Sequence, residues 1–117
     1  MEIRTRNLGP VVCLDLHGRL VAMDEDDRLR DRVNSLLFEG DRQILLNFED
    51  VSQVDTSGLS TMVAVRRAVD RSGAQIKLLN LPPRINDMLV VTRLITLIDL
   101  VESEADAVRA FSAEGAH

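Results

Sequence analysis

Tryptophan and tyrosine are absent from the 117 residues, and three phenylalanines make up the whole aromatic complement. A core built from this chain is therefore aliphatic, and stacking platforms for bases or sugars are essentially missing. A single cysteine, Cys13, excludes an internal disulfide and fits a reducing cytoplasm. Long apolar runs are lacking as well. Those present, such as residues 44–46 and 89–91, fall far short of the roughly 20 residues of a membrane helix, so no membrane insertion is expected. No cationic start followed by an apolar stretch marks a secretory signal. Positive charge is in the minority: 14 basic against 19 acidic residues give −5, which disfavours nucleic acid and anionic lipid as partners. What remains is 45% hydrophobic and 28% charged with mean hydropathy +0.01, an ordinary globular composition. It fits one domain over residues 1–117, with an ordered core of about 2–111 and a small, polar tail that frays from Ser112.

The pattern of apolar positions predicts an alternation of strands and helices. Residues 2–6 read as a strand, and Gly9-Pro10 as a turn. From Val11 to His17 the chain alternates, with Val12, Leu14 and Leu16 on one face, and residues 19–21 extend the run past a bulge at Gly18. Asp24 is placed to cap a first helix, with Glu25, Asp26 and Asp27 in its first turn and Leu29, Val33, Leu36 and Leu37 as its core stripe; Gly40 stops it. Residues 43–48 form a central strand, residues 49–53 read as a polar turn, and Val54-Asp55 close the segment. A second helix carries Leu59, Met62, Val63, Ala68 and Val69 inward and ends at Gly73. A strand over 75–81 follows, then a third helix opening at Pro82-Pro83 with Ile85, Met88 and Leu89 on its core face. A last strand spans 97–101. Ser103 and Asp106 have capping spacing for a final helix with Ala105, Val108 and either Ala107 or Phe111 inward. Strands alternating with helices imply a single α/β domain with mostly parallel pairing.

Chemistry concentrates at Val54-Asp55-Thr56-Ser57-Gly58-Leu59, a strand-to-helix junction carrying two hydroxyls and a glycine. One reading is capping, with Thr56 or Ser57 accepting from a free N–H of the first turn. The other is a switch. A phosphate on such a hydroxyl adds roughly −2 charge where the helix dipole tolerates it, and so acts on whatever protein docks there. Gly58 is then read as keeping approach to the hydroxyl open.

Asp55-Thr56-Ser57-Gly58-Leu59 resembles the D-[ST]-[ST]-G-[LIV] signature of STAS domains, specifically of anti-sigma factor antagonists. Gly18-Arg19-Leu20 is similar to the family's G-x-[LI], residues 45–48 with Val51 and Val54 to its central strand, and Thr92-Arg93-Leu94 to its T-G-L-type turn, so the resemblance covers nearly the whole chain. Val21 stands where the family often has an acid, Asn47 where Asp is common, and Arg93 and Ser60 where glycines are frequent. The resemblance implies a small mixed, mostly parallel sheet with about four helices packed mainly on one side. It further implies a binder rather than an enzyme, without cofactor, that sequesters an anti-sigma factor of the serine kinase type and is released by phosphorylation. A phosphatase resets it. By position Ser57 is the acceptor, with Thr56 the alternative. Asp55, Thr56, Ser57, Gly58, Leu59, Ser60, Met62 and Asp24 then form the partner surface. A homodimer is left open.

Other readings are an unphosphorylated interaction subunit of a signalling scaffold or lipid-transport complex, and a small hydrolase pairing Ser57 with His17. The second lacks a G-x-S-x-G elbow. Neither a P-loop nor G-x-G-x-x-G is present, and one internal histidine plus one cysteine supply no metal site.

Overall fold

The computed structural model describes residues 1–21 and 27–114. Gly9, with φ +63°, turns the chain between β1 (Glu2–Leu8) and β2 (Val11–Leu20), which pair antiparallel. The chain continues through α1 (Arg28–Phe38), β3 (Gln43–Val54), α2 (Thr56–Arg71), β4 (Gln75–Leu79), α3 (Pro83–Val91), a 3-10 turn at Leu94–Leu97, β5 (Leu100–Val101) and α4 (Glu104–Glu114). The five strands lie side by side in chain order, and every pairing after the first is parallel. This is the mixed, mostly parallel sheet with four helices that the sequence predicts.

Each face of the sheet buries a separate core. On one, Val12, Leu14 and Leu16 of β2, Ile44, Leu46 and Phe48 of β3 and Ile76 and Leu78 of β4 meet the apolar stripes of α1, α2 and α3. Each large side chain buried there stabilises the fold by about 1.5–3 kcal/mol. On the other, Val11, Cys13, Leu45 and Leu79 meet Ala107 and Phe111 of α4 alone. Burial pushes the Cys13 thiol up to about 11, with the Asp15 carboxylate adding to the shift, so it is an inert packing group.

Several elements depart from expectation. Residues 49–53 are not a turn: β3 runs unbroken to Val54. Its pairing with β2 shifts register twice, each time with one extra residue on β3, between the pairs Asp15↔Asn47 and His17↔Asp50 and between Gly18↔Val51 and Arg19↔Gln53. These bulges destroy the two-residue alternation that identifies a strand and leave Val51 and Val54 inward with two exposed residues before each. β4 stops at Leu79, because Asn80 is left-handed at φ 57°. The last strand is only Leu100–Val101, since Leu94–Leu97 coil into the 3-10 turn. Arg93, which stands where the resemblance leads one to expect glycine, adopts φ 63°, in the left-handed region that glycine enters most readily. α1 begins at Arg28, one residue after Asp27, whose side chain makes no capping bond. Asp24, Glu25 and Asp26 lie outside the described residues. In α4 the Asp106 N–H donates to Ser103 Oγ at 3.0 Å as the spacing predicts, Ala105 is exposed rather than inward, and the helix runs past Ser112 to Glu114.

Candidate functional site

The site grows from the crossing of β2 and β3 into α2. The bulged end of β3 delivers Asp55 beside the end of β2, where its N–H donates to the Leu20 carbonyl at 3.3 Å. Asp55 has extended backbone, and its Oδ1 accepts from the Gly58 N–H at 2.9 Å. Asp55, not Thr56 or Ser57, is therefore the cap of α2. The consequence for the two hydroxyls is direct. Thr56 and Ser57 occupy the first exposed positions of the helix, and neither side chain is engaged in a hydrogen bond among the described residues. The Asp55 carboxylate takes the Gly58 N–H, and the remaining backbone N–H groups and aligned peptide dipoles of this turn still favour negative charge, with no acidic side chain inside the first turn itself.

Gly58 has a different role from the one its neighbours invite. It is buried, and a Cβ built on it would lie 2.0 Å from the Leu20 carbonyl oxygen and 2.9 Å from Val54 Cγ1. The glycine lets the first turn of α2 sit directly on the ends of β2 and β3. It fixes the height of the hydroxyls above the sheet rather than clearing a path to them. Leu59 and Met62 point into the core beneath it. Met62 is thus a support, and Val63, half-buried, takes the outward position.

Beside the hydroxyls lies a groove of about 430 Å³ lined by Thr56, Leu59, Ser60, Val63, Ala64, Arg67, Thr92 and Leu94. Thr56, Ser60, Val63 and Arg67 follow one another at helical spacing down a single face of α2. That stripe is visible in the sequence, but an apolar-plus-hydroxyl mixture carries no pattern distinguishing a groove wall from a core edge. Thr92 and Leu94 come from the turn after α3, which the left-handed Arg93 folds back toward α2. Arg66 is not a clamp for this site. Its guanidinium pairs with Asp70 at 3.1 Å and donates to the Leu97 carbonyl, tying α2 to the 3-10 turn.

The remaining candidates fall elsewhere. His17 Nδ1 lies 3.0 Å from Asp50 Oδ2, so the imidazole is oriented by a β3 carboxylate rather than by Ser57. Asn47 donates to Asp15 Oδ1 at 2.8 Å and accepts from Asn80 at 3.1 Å. An aspartate at 47 would set two carboxylates against each other, which accounts for the amide here. The Arg6 guanidinium, bonded to both Asp15 and Glu104, holds the Asp15 carboxyl below its ordinary range, assisted by Asn47. No group of three or more potential metal ligands gathers among the described residues, and none of the described helices is long and apolar enough to cross a membrane.

Comparison with known proteins bears on the fold and the family. The STAS domain family model matches residues 2–107. Among solved structures, the anti-sigma factor antagonist SpoIIAA in its unphosphorylated form superposes with a TM-score of 0.77 at 20% identity, over 96% of this chain and 97% of that one. A putative anti-sigma factor antagonist from Thermotoga maritima gives 0.77 at 18% identity, covering 93% of each chain. A serine-to-glutamate variant of RsbS from Moorella thermoacetica gives 0.75 at 9% identity over the whole of both chains. At these identities the superpositions speak for the fold, while the family match extends over nearly the entire sequence: the chain belongs to the STAS domain family.

Proposed function

We propose that this STAS domain is an anti-sigma factor antagonist whose binding to a serine kinase of the anti-sigma type is switched by phosphorylation of Ser57, with Thr56 as the alternative acceptor. The observation that carries the reading is the division of labour at the start of α2. Asp55 supplies the cap, so both hydroxyls are exposed and uncommitted, and Thr56 lines a groove beside them. Transfer of the γ-phosphoryl group of ATP to Ser57 Oγ, with release of ADP and the hydroxyl proton, adds roughly −2 charge where the partner would lie. The helix end stabilises that charge locally, so the domain stays folded while the contact is repelled and sterically blocked. A phosphatase restores the hydroxyl. The partner face comprises Thr56, Ser57 and Ser60 with the Leu59 floor of the groove; Asp55, Gly58 and Met62 hold it in position. Asp24 belongs to the proposed face by sequence alone.

The test is to incubate the chain with its cognate kinase and ATP and map the phosphate by mass spectrometry. Label on Ser57 or Thr56 is expected, and label only at a distant residue would sink the reading. Ser57→Asp should abolish kinase binding in a pull-down while Ser57→Ala retains it.

A further inference from the structure

Four arginines of this chain are matched with acids among the described residues. Arg6 holds Asp15 and Glu104, Arg66 holds Asp70, Arg4 holds Glu2 and Arg109 holds Asp106. Between α1 and α2 the matching fails. Arg30 and Asn34 of α1 and Arg67 and Arg71 of α2 line one open cleft of about 230 Å³. None of the three guanidiniums holds an ion pair or hydrogen bond among the described residues. Arg67 and Arg71 are four apart on one helix, a like-charge spacing that disfavours the helix. A chain with 19 acidic residues nevertheless leaves this cluster without a counter-charge of its own among the described residues.

We propose that Arg30, Arg67 and Arg71 form a second docking site, adjoining the groove at Arg67 but not reaching Ser57, that takes a carboxylate-rich segment of a partner protein. Guanidinium groups bind carboxylates through paired N–H donors, and three of them on two helix faces fit several carboxylates in succession rather than a single ion. The cluster is exposed, so each contact is weak alone and binding needs a multivalent anion. The net charge of −5 argues against nucleic acid as that anion, since the rest of the surface repels a long phosphate backbone. A short acidic segment is opposed by the same field but touches less of the surface than a long backbone does, and screening limits the repulsion to its neighbourhood. Along the helix axis Arg71 lies about 21 Å and Arg67 about 15 Å from Ser57, at 1.5 Å per residue, so the cleft meets the groove at Ala64 and Arg67 and does not reach Ser57.

The test uses fluorescein-labelled octaglutamate, octalysine and a single-stranded oligonucleotide as probes of the intact chain, read by anisotropy and by amide chemical shifts. Octaglutamate should bind at about 20 mM salt, weaken strongly by about 200 mM as screening sets in, and shift amides around Arg30, Asn34, Arg67 and Arg71 while leaving Thr56 and Ser57 unmoved. Arg67→Glu/Arg71→Glu should weaken it about tenfold, equivalent to about 1.4 kcal/mol. The milder Arg67→Gln/Arg71→Gln serves should the reversal disturb folding. Ser57→Asp should leave it unchanged, so this site and the phosphorylation switch stand or fall separately. Shifts confined to other regions, equal affinity in the arginine variants, or tighter binding of the oligonucleotide through the same residues would each overturn the proposal.

Discussion

The two faces of the sheet are unequal, and the inequality sorts structure from function. Three helices seal one face over a core that is aliphatic but for Phe48. A single helix covers the other, where the buried Lys77 lies 5.2 Å from the Phe111 ring centroid and Arg6, Asp15, Asn47 and Glu104 form a bonded network beside the apolar patch. One helix cannot cover five strands, so the uncovered sheet surface there is polar and internally paired. The hydroxyl site, its groove and the arginine cleft all lie on elements of the sealed face, where packing holds α2 rigidly enough to present them.

Phe48→Ala should be the largest perturbation, costing about 3–5 kcal/mol in urea unfolding and lowering protection across the whole sheet in hydrogen exchange. Phe111→Ala removes the same ring from the thinner face. It should cost about 3 kcal/mol, with exchange protection lost first in α4. Equal, global loss in both variants would show that the faces unfold as one unit and would dissolve the contrast. Gly58→Ala forces a Cβ against the Leu20 carbonyl and should cost about 1–3 kcal/mol, with the proposed kinase binding falling alongside stability. The polar network is expected to matter less and to depend on pH. The Asp15 carboxyl sits below its ordinary range in the folded state, so its contribution is present above about pH 4 and is lost as pH falls through the folded value. The stability difference between the native chain and Asp15→Asn, measured from urea midpoints across an acid series, should shrink accordingly. Smallest of all, Ser57→Asp should change stability by less than about 0.5 kcal/mol, because the residue is exposed and a first-turn anion suits the dipole.

The contrast between faces is only partly legible in the sequence. The strand–helix alternation is, because Leu29, Val33 and Leu36 or Ile85 and Leu89 repeat at helical spacing and residues 43–48 form a dense apolar run. The signature hydroxyls are also legible, through resemblance. What escapes are features set by tertiary contact. Two bulges in β3 break the alternation over residues 49–53 and disguise a strand as a turn. Val65 of α2 is buried, yet it is masked by Val63 and Ala68, which share its apolar character and lie nearer the helix flank. The purpose of Gly58 depends on a carbonyl belonging to Leu20, far away in the chain. Asp55 as cap competes with two hydroxyl residues that are equally good caps by type, and only the extended backbone at Asp55 decides between them. The arginine cleft needs the packing of α1 on α2 before its three members can be seen together.

Because spatial order in the sheet equals chain order, each strand finds its neighbour already made as the polypeptide emerges from a ribosome. The hairpin comes first and β3 adds to β2, with β4 and β5 extending the same edge. One contact reverses this progression. Arg6 bonds Glu104 across 98 residues, and at about 5–20 residues per second it waits roughly 5–20 s for its mate. Until α4 arrives, Val11, Cys13 and Leu45 face water, so the nascent domain carries a greasy flank that its last helix alone can hide.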